Sequence, residues 1–281
     1  MPSPTDKVGR AEMDTEDFLG LLRRLRPRAV FRLGRRVMTD EFDRTPRRLE
    51  EAAKRWPLPS TQLVCVYRYA NHAHVEAMLE GLDVRAALWA LDRKHPALAS
   101  KTIVTGPGGR FFLLNRLTDE LPEDGSHLVI TDDDVSFVPG ALATLVRTAA
   151  DFCVDVAQPA HGPLSHCSWD FNRFQPGVFG RRTLWLEVGP TLVFGPKARS
   201  GLLPFPDDST KGCGQEVAWH LAAKDGLVLG IVDGVRVRHR GHVAASYDRG
   251  VAEAASAAAL AKHGLTSARE MQVTVATLVI D

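Results

Sequence analysis

Between residues 62 and 157, short apolar runs alternate with stretches of helical period, and few folds accept that alternation. Residues 63–67, 86–91, 102–105, 128–130 and 154–157 have strand character. Val75, Met78, Leu79 and Leu82 recur at helical spacing after the first run, and Leu142, Leu145, Val146 and Ala149 form one apolar face after the fourth. A further helix follows the third run and extends to about residue 121. Four successive strand–helix units, spaced for right-handed crossovers, predict an α/β fold with a doubly wound, mostly parallel sheet.

The fourth run stops at three consecutive carboxylates, Asp132, Asp133 and Asp134. Ligands bind at the carboxyl ends of strands in open α/β sheets, and adjacent acids repel one another unless a cation offsets them. A divalent-metal site holding a phosphorylated donor fits this pattern. Taken alone, the triplet fits a solvated acidic turn equally well. If the strand continues, alternation puts Asp132 and Asp134 on one side and Asp133 on the other.

The chain of 281 residues is long enough for one large α/β domain with an extension, or for two small domains. Lys+Arg 35 against Asp+Glu 34 leaves a formal net charge of +1, so no global field favours nucleic acid. No apolar segment is long enough to span a bilayer, and the first residues lack the apolar core of a secretory leader, so the expected location is cytoplasmic. Cys65, Cys153, Cys167 and Cys213 are scattered without a Cys-x-x-Cys pair and are expected to be reduced.

Residues 1–60 differ from the rest and are expected to form a largely helical, Arg-rich extension ending in a linker at 56–60. A short helix is expected over 18–25. Arg23, Arg24, Arg26, Arg28, Arg32, Arg35 and Arg36 are interleaved with Leu25, Val30, Phe31, Leu33 and Val37, which suits an anionic membrane surface at the inner face or an acidic polymer. A solvated arginine face on an extension packed against the main domain is the favoured reading, because Asp40, Glu41 and Asp43 follow at once.

Residues 158–182 show no period and mix aromatics with polar groups, which predicts a long functional loop. Trp169 and Asp170 suit stacking and hydrogen bonding to an acceptor sugar, and Trp169 suits equally a plug in a hydrophobic gap. Two short strands are expected around Gly189-Pro190. Residues 212–216 lead into a helix over 217–224, then strands over 227–232 and 235–239. In the last strand Val235, Val237 and His239 share the apolar face. An Ala-rich helix over 250–263 and a terminal strand over 272–280 complete the chain.

With these elements in order, the chain resembles the GT-A glycosyltransferases, particularly the inverting enzymes of family 2, over residues 62–242. LVCVYRYAN is similar to the first strand of that family, ALWALD to the second strand with its base-holding acid, and TGPGGRFFLLN to the glycine loop and helix. LVITDDDVSFVPGAL resembles the metal-binding aspartate motif, and GCGQEVAWHLAAKDGLVLGIVDGVRVRH the acidic helix, two strands and closing His. Two places depart from the family. Gln215-Glu216 or Glu216-Val217 stands where the family has Glu-Asp, and Arg68-Tyr69-Ala70-Asn71 replaces Pro-Thr-Tyr-Asn.

The resemblance implies a nucleotide-binding half at 61–160 and an acceptor-binding, catalytic half at 161–281. It implies a nucleoside-diphosphate sugar donor, a glycan, lipid-linked or small-molecule acceptor, and Mn2+ or Mg2+ as cofactor. Asp134 is the expected direct metal ligand. Asp132 reaches the metal, a metal-bound water or the ribose, and Asp133 reaches the donor sugar. His239 completes the metal site, or else is a core histidine bonded to a carbonyl. Arg68, Tyr69 and Asp92 are expected near the nucleotide. Arg110 meets phosphate at a helix terminus, or lies on the surface. Glu216 is the expected general base, with Asp207 and Asp208 in reserve. His239-x-x-His242 and His72-x-His74 lack the partners a zinc site needs. Two other readings stand beside the transferase. One is a noncatalytic nucleotide-sugar or glycan-binding module, and the other an aspartyl phosphatase or phosphotransferase using Asp132 and Asp134.

Overall fold

The computed structural model describes residues 27–80, 82–206, 214–241 and 249–278. Two helices, α1 (Pro27–Phe42) and α2 (Thr45–Ala53), precede β1 (Thr61–Tyr67) and α3 (His72–Leu79). Next come β2 (Arg85–Ala90), β3 (Thr102–Thr105), α4 (Arg110–Asp119), β4 (His127–Asp132), β5 (Val135–Ser136), α5 (Ala141–Asp151) and β6 (Val156–His161). The remainder holds β7 (Gly180–Thr183), β8 (Thr191–Phe194), α6 (Pro196–Leu202), α7 (Gln215–Lys224), β9 (Leu229–His239), α8 (Arg249–Lys262) and β10 (Thr274–Leu278).

The sheet order is β10-β7-β9-β6-β8-β4-β1-β2-β3, with β5 on β9. From the pairings, β1, β2, β3, β4, β6, β9 and β10 share one direction, and β7 and β8 oppose them. The predicted architecture of a mostly parallel sheet flanked by helices is therefore present. Both faces are covered, which explains the continuous apolar runs. Leu63, Cys65, Tyr67 and Val129 pack toward α2, α3 and α5, whereas Val64, Leu128 and Ile130 pack toward α4 and α7 through Phe111, Leu114, Leu117 and Trp219. Alternate residues of one strand thus serve two cores.

Several boundaries differ from those predicted. The fifth strand begins at Val156 and continues through Pro159 to His161, and Gly180–Thr183 is a strand, so the irregular stretch is shorter than 158–182. Pro159 disguised this strand, since proline lacks the ladder N–H. It sits at a register shift, with Pro159 opposite Val232 and Ala160 opposite Arg236. Strands predicted over 227–232 and 235–239 are one strand, β9. Asp233-Gly234 looks like a hairpin turn but forms the bulge at that shift. There the buried Asp233 carboxylate pairs with Arg181 at 2.9 and 3.0 Å. A Cβ on Gly234 would come within 2.6 Å of Leu49 Cδ2, so only glycine admits that leucine. Around Gly189-Pro190 one strand forms, β8, rather than two.

Leu49 and Ala53 of α2 are fully buried. Asp40 of α1 and Asp43 just after it both pair with Arg236 of β9, and Arg36 of α1 meets Asp170 at 3.3 Å. Residues 36–53 therefore pack against the sheet. The helix predicted over 18–25 and Arg23, Arg24 and Arg26 lie outside the described residues, and with them much of the segment read as suiting a membrane surface. Among the described residues no helix is long and apolar enough to cross a membrane. Cys65, Cys153 and Cys167 are free thiols, and Cys213 lies outside the described residues.

Candidate active site

Arg68, Asp92 and Asp132 stand at the carboxyl ends of three neighbouring parallel strands, β1, β2 and β4. Asp92 Oδ1 accepts the backbone N–H of Tyr69 at 2.9 Å and of Arg93 at 2.7 Å. The slight burial of Asp92 raises its carboxyl, and these N–H bonds outweigh it and hold the group below the usual range. The Arg93 guanidinium lies 3.7 Å over the Tyr69 ring, and His72 stacks on His95 at 3.6 Å. Charge and flat aromatic surface thus adjoin at this edge.

β4 stops at Asp132, and Asp133 and Asp134 lie in the turn before β5. The turn nonetheless separates the three side chains as alternation predicted. Asp133 is buried and points back to β1, accepting from the Arg68 N–H at 2.6 Å and Asn71 Nδ2 at 3.0 Å. Burial raises its carboxyl, with those donors in partial opposition. Asp133 therefore buttresses the turn. On the other side, ligand atoms of Asp132, Asp134 and His239 lie within 4.8 Å of one another.

Each member of that cluster is held by a partner. Arg110, the first residue of α4, donates from Nε at 2.8 Å and lies 2.7 Å away through Nη2, both to Asp132 Oδ1. Gly189, with φ +113°, lies beside Asp132 Oδ2, in a conformation L side chains rarely adopt. His239 Nε2 is 3.3 Å from Asp134 Oδ1. Val135 pairs with His239 across β5 and β9, which brings the distant histidine to the triplet. Burial raises the Asp134 carboxyl, but the hydrogen bond and charge of His239 outweigh it and hold the group low. Burial depresses His239, and Asp134 reverses this, leaving the imidazole raised. A Cβ on Gly241 would overlap Asp134 Oδ2, so glycine leaves that oxygen accessible. Two carboxylates and an imidazole in this space suit Mn2+ or Mg2+.

Glu216 lies in the first turn of α7, one residue after Gln215, and is partly buried. Burial pushes its carboxyl up to about 7, against the N–H groups of Glu216 and Val188, and the nearby charge of Glu187 pushes the same way. Glu187 was missed in the sequence. It is also raised by burial, accepts from Asn172 Nδ2 at 2.6 Å, and acts electrostatically on both His239 and Glu216. Its one sequence signal is an acid two residues before Gly189 in an apolar stretch.

The remaining predicted residues have other surroundings. The partly buried Trp169 ring packs edge-on to Trp185 at 6.0 Å, and the exposed Asp170 is bound by Arg173 at 3.0 Å and by Arg36. Trp169 packs against the buried cluster around Trp185. His72 and His74 belong to no metal-competent cluster among the described residues. Asp207, Asp208 and His242 lie outside the described residues.

No protein-family model and no curated protein sequence matches this chain. Solved structures similar to it include GalNAc-T7 with UDP, GalNAc and Mn2+, at 12% identity and TM-score 0.49, over 65% of this chain and 43% of that one. S. aureus TarS 1–349 is similar at 8% identity and TM-score 0.43, over 73% of this chain and 71% of that one. The same TarS segment in complex with UDP-GlcNAc is similar at 10% identity and TM-score 0.46, over 67% and 62%. This chain thus spans less than half the length of the GalNAc-T7 chain. Likenesses this remote assign no activity to it.

Proposed function

We propose that this chain is a metal-dependent glycosyltransferase that moves a sugar from a nucleoside-diphosphate sugar to an acceptor hydroxyl, with inversion. One observation carries the reading. A cation-ready cluster, Asp132, Asp134 and His239, ends the parallel strands, and Glu216, in the first turn of α7, has its carboxyl raised to about 7 by burial and by nearby Glu187.

Asp134 and His239 would hold the cation, with Asp132 offering Oδ2 while Arg110 keeps Oδ1. A bound divalent ion would neutralise the diphosphate as the glycosidic bond breaks. Asp92, Tyr69 and Arg68 would hold the nucleoside, with Asp133 fixing the turn beneath it. Glu216 would take the acceptor proton as the hydroxyl attacks the sugar carbon from the face opposite the phosphate. A carboxyl near 7 is half ionised at neutral pH and is a stronger base than an ordinary glutamate.

A thermal-shift series with nucleoside diphosphates and their sugars, with and without Mn2+, tests the donor side, because a ligand specific to the folded state raises the melting temperature. Stabilisation that requires Mn2+ is expected. Its absence for every nucleotide removes the transferase reading, and stabilisation without turnover on any acceptor favours the noncatalytic module.

A further inference from the structure

Beside the Asp132–Asp134–His239 cluster lies a second one that the proposed reaction does not use. We propose that His161, Cys167 and Glu187 bind a zinc ion that ties the long irregular loop to the sheet. Their ligand atoms lie within 4.8 Å of one another. His161 closes β6, Cys167 sits in the following loop, and Glu187 follows β7, so one ion would join three separate segments.

The histidine gives the strongest indication. His161 is 1% exposed, and its Nε2 is buried without a hydrogen-bond partner. Its Nδ1 is 2.7 Å from Ser165 Oγ, which also accepts the His239 backbone N–H at 2.9 Å and donates to the His166 carbonyl at 3.3 Å. In the tautomer whose Nδ1–H donates to Ser165 Oγ, Nε2 keeps its lone pair. A hydrogen bond that fixes one ring nitrogen while the other faces a cation is the usual arrangement of a metal-bound histidine. Asn172 holds one Glu187 oxygen in the same manner, at 2.6 Å.

The donor set selects the ion. A thiolate and an imidazole favour zinc, whereas the neighbouring cluster of two carboxylates and an imidazole favours Mn2+ or Mg2+. The rings of His161 and His239 are 6.4 Å apart, so two sites of different chemistry would stand side by side, linked through Ser165. Burial and the charge of Glu187 push the Cys167 thiol up to about 12, so the metal-free thiol is protonated at neutral pH. On binding, Cys167 would release its proton to solvent as the sulfur–zinc bond forms. The thiolate and the Glu187 carboxylate would then balance the two charges of the ion. Three protein ligands leave a fourth position for water.

Cobalt(II) added to the chelator-stripped full chain is the direct test, because it reports sulfur ligation spectroscopically. One equivalent should give the thiolate-to-metal charge-transfer band and the intense visible bands of a four-coordinate site, and zinc should abolish them while excess Mn2+ should not. Cys167→Ser should lose the charge-transfer band, and Ser165→Ala should weaken binding by about 10–100-fold. Asp134→Ala should keep the spectrum while losing Mn2+ binding, which separates this site from the proposed donor site. Absence of a charge-transfer band in the parent chain, or its persistence in Cys167→Ser, overturns the proposal. The parent spectrum decides the matter if a variant fails to fold.

Discussion

Two sets of acids, one wall at the ends of β1, β2 and β4 and another made of Glu187 and Glu216, are held by different means. On the wall built from β1, β2 and β4, Asp92, Asp132, Asp133 and Asp134 each meet a donor or cation: backbone N–H groups, Arg110, Arg68 with Asn71, and His239 respectively. Glu187 and Glu216 are governed by burial, have no cationic side chain bonded to them among the described residues, and are both raised, as is the buried Asp133. Fixed charge in a preorganised frame suits electrostatic binding of a polyanion and its counter-ion. A carboxyl raised to about 7, as in Glu216, suits acid–base work.

Substitutions on each wall can break this contrast. The largest effect expected is that of Glu216→Gln, which should keep donor binding while turnover falls about 10²–10⁴-fold, the usual contribution of a general base. Parent-like turnover in single-turnover assays would move the base to Asp207 or Asp208. Next, Asp134→Ala should lower Mn2+-dependent nucleoside-diphosphate affinity by about 100-fold, equivalent to about 2.7 kcal/mol. Unchanged calorimetric affinity would show that the static wall does not hold the cation. Gly241→Ala, whose Cβ meets Asp134 Oδ2, should weaken Mn2+ binding about tenfold, or about 1.4 kcal/mol, with turnover at saturating metal nearly kept.

The smallest effect concerns pH and stability. Glu216 is raised from 4.5 to about 7, so the folded chain holds this proton more tightly than the unfolded chain does. The resulting stability is complete below pH 4.5 and is lost as the pH rises through about 7. Melting temperatures of parent and Glu216→Gln should therefore converge near pH 4.5, separate progressively in favour of the variant as the pH rises to about 7, and stay a constant distance apart above it. Over the same interval turnover of the parent should rise with pH, because the base must be ionised. A flat profile would place the proton transfer elsewhere.

The static wall was more legible in sequence than the titrating one. An apolar run that stops at Asp132 announces a strand end by composition alone, and three neighbouring runs of the same kind fixed its place in the sheet. Alternation with Val235 and Val237 put His239 only on the apolar face, and the resemblance to the closing His of the GT-A motif singled it out as a ligand. Glu187 carried no such pattern, since its position depends on the antiparallel insertion of β8 between β4 and β6, a long-range pairing no local period records. The same holds for Asp233 and Gly234, whose turn-like pair became a bulge because Arg181 and Leu49 arrive from elsewhere in the chain. Trp169 could be read two ways, and the packing of Trp185 against it was not visible in the local pattern.

The pairing of β5 with β9 has a consequence for the order of synthesis. Ser136 and the Arg240 that bonds it are separated by 104 positions. A ribosome that has just released Asp134 therefore leaves this aspartate without its histidine until about a hundred more residues have been made. Throughout that interval the nascent chain can complete β1 to β4 but not the cluster at their ends, so cation binding would report the last stage of biogenesis rather than the first.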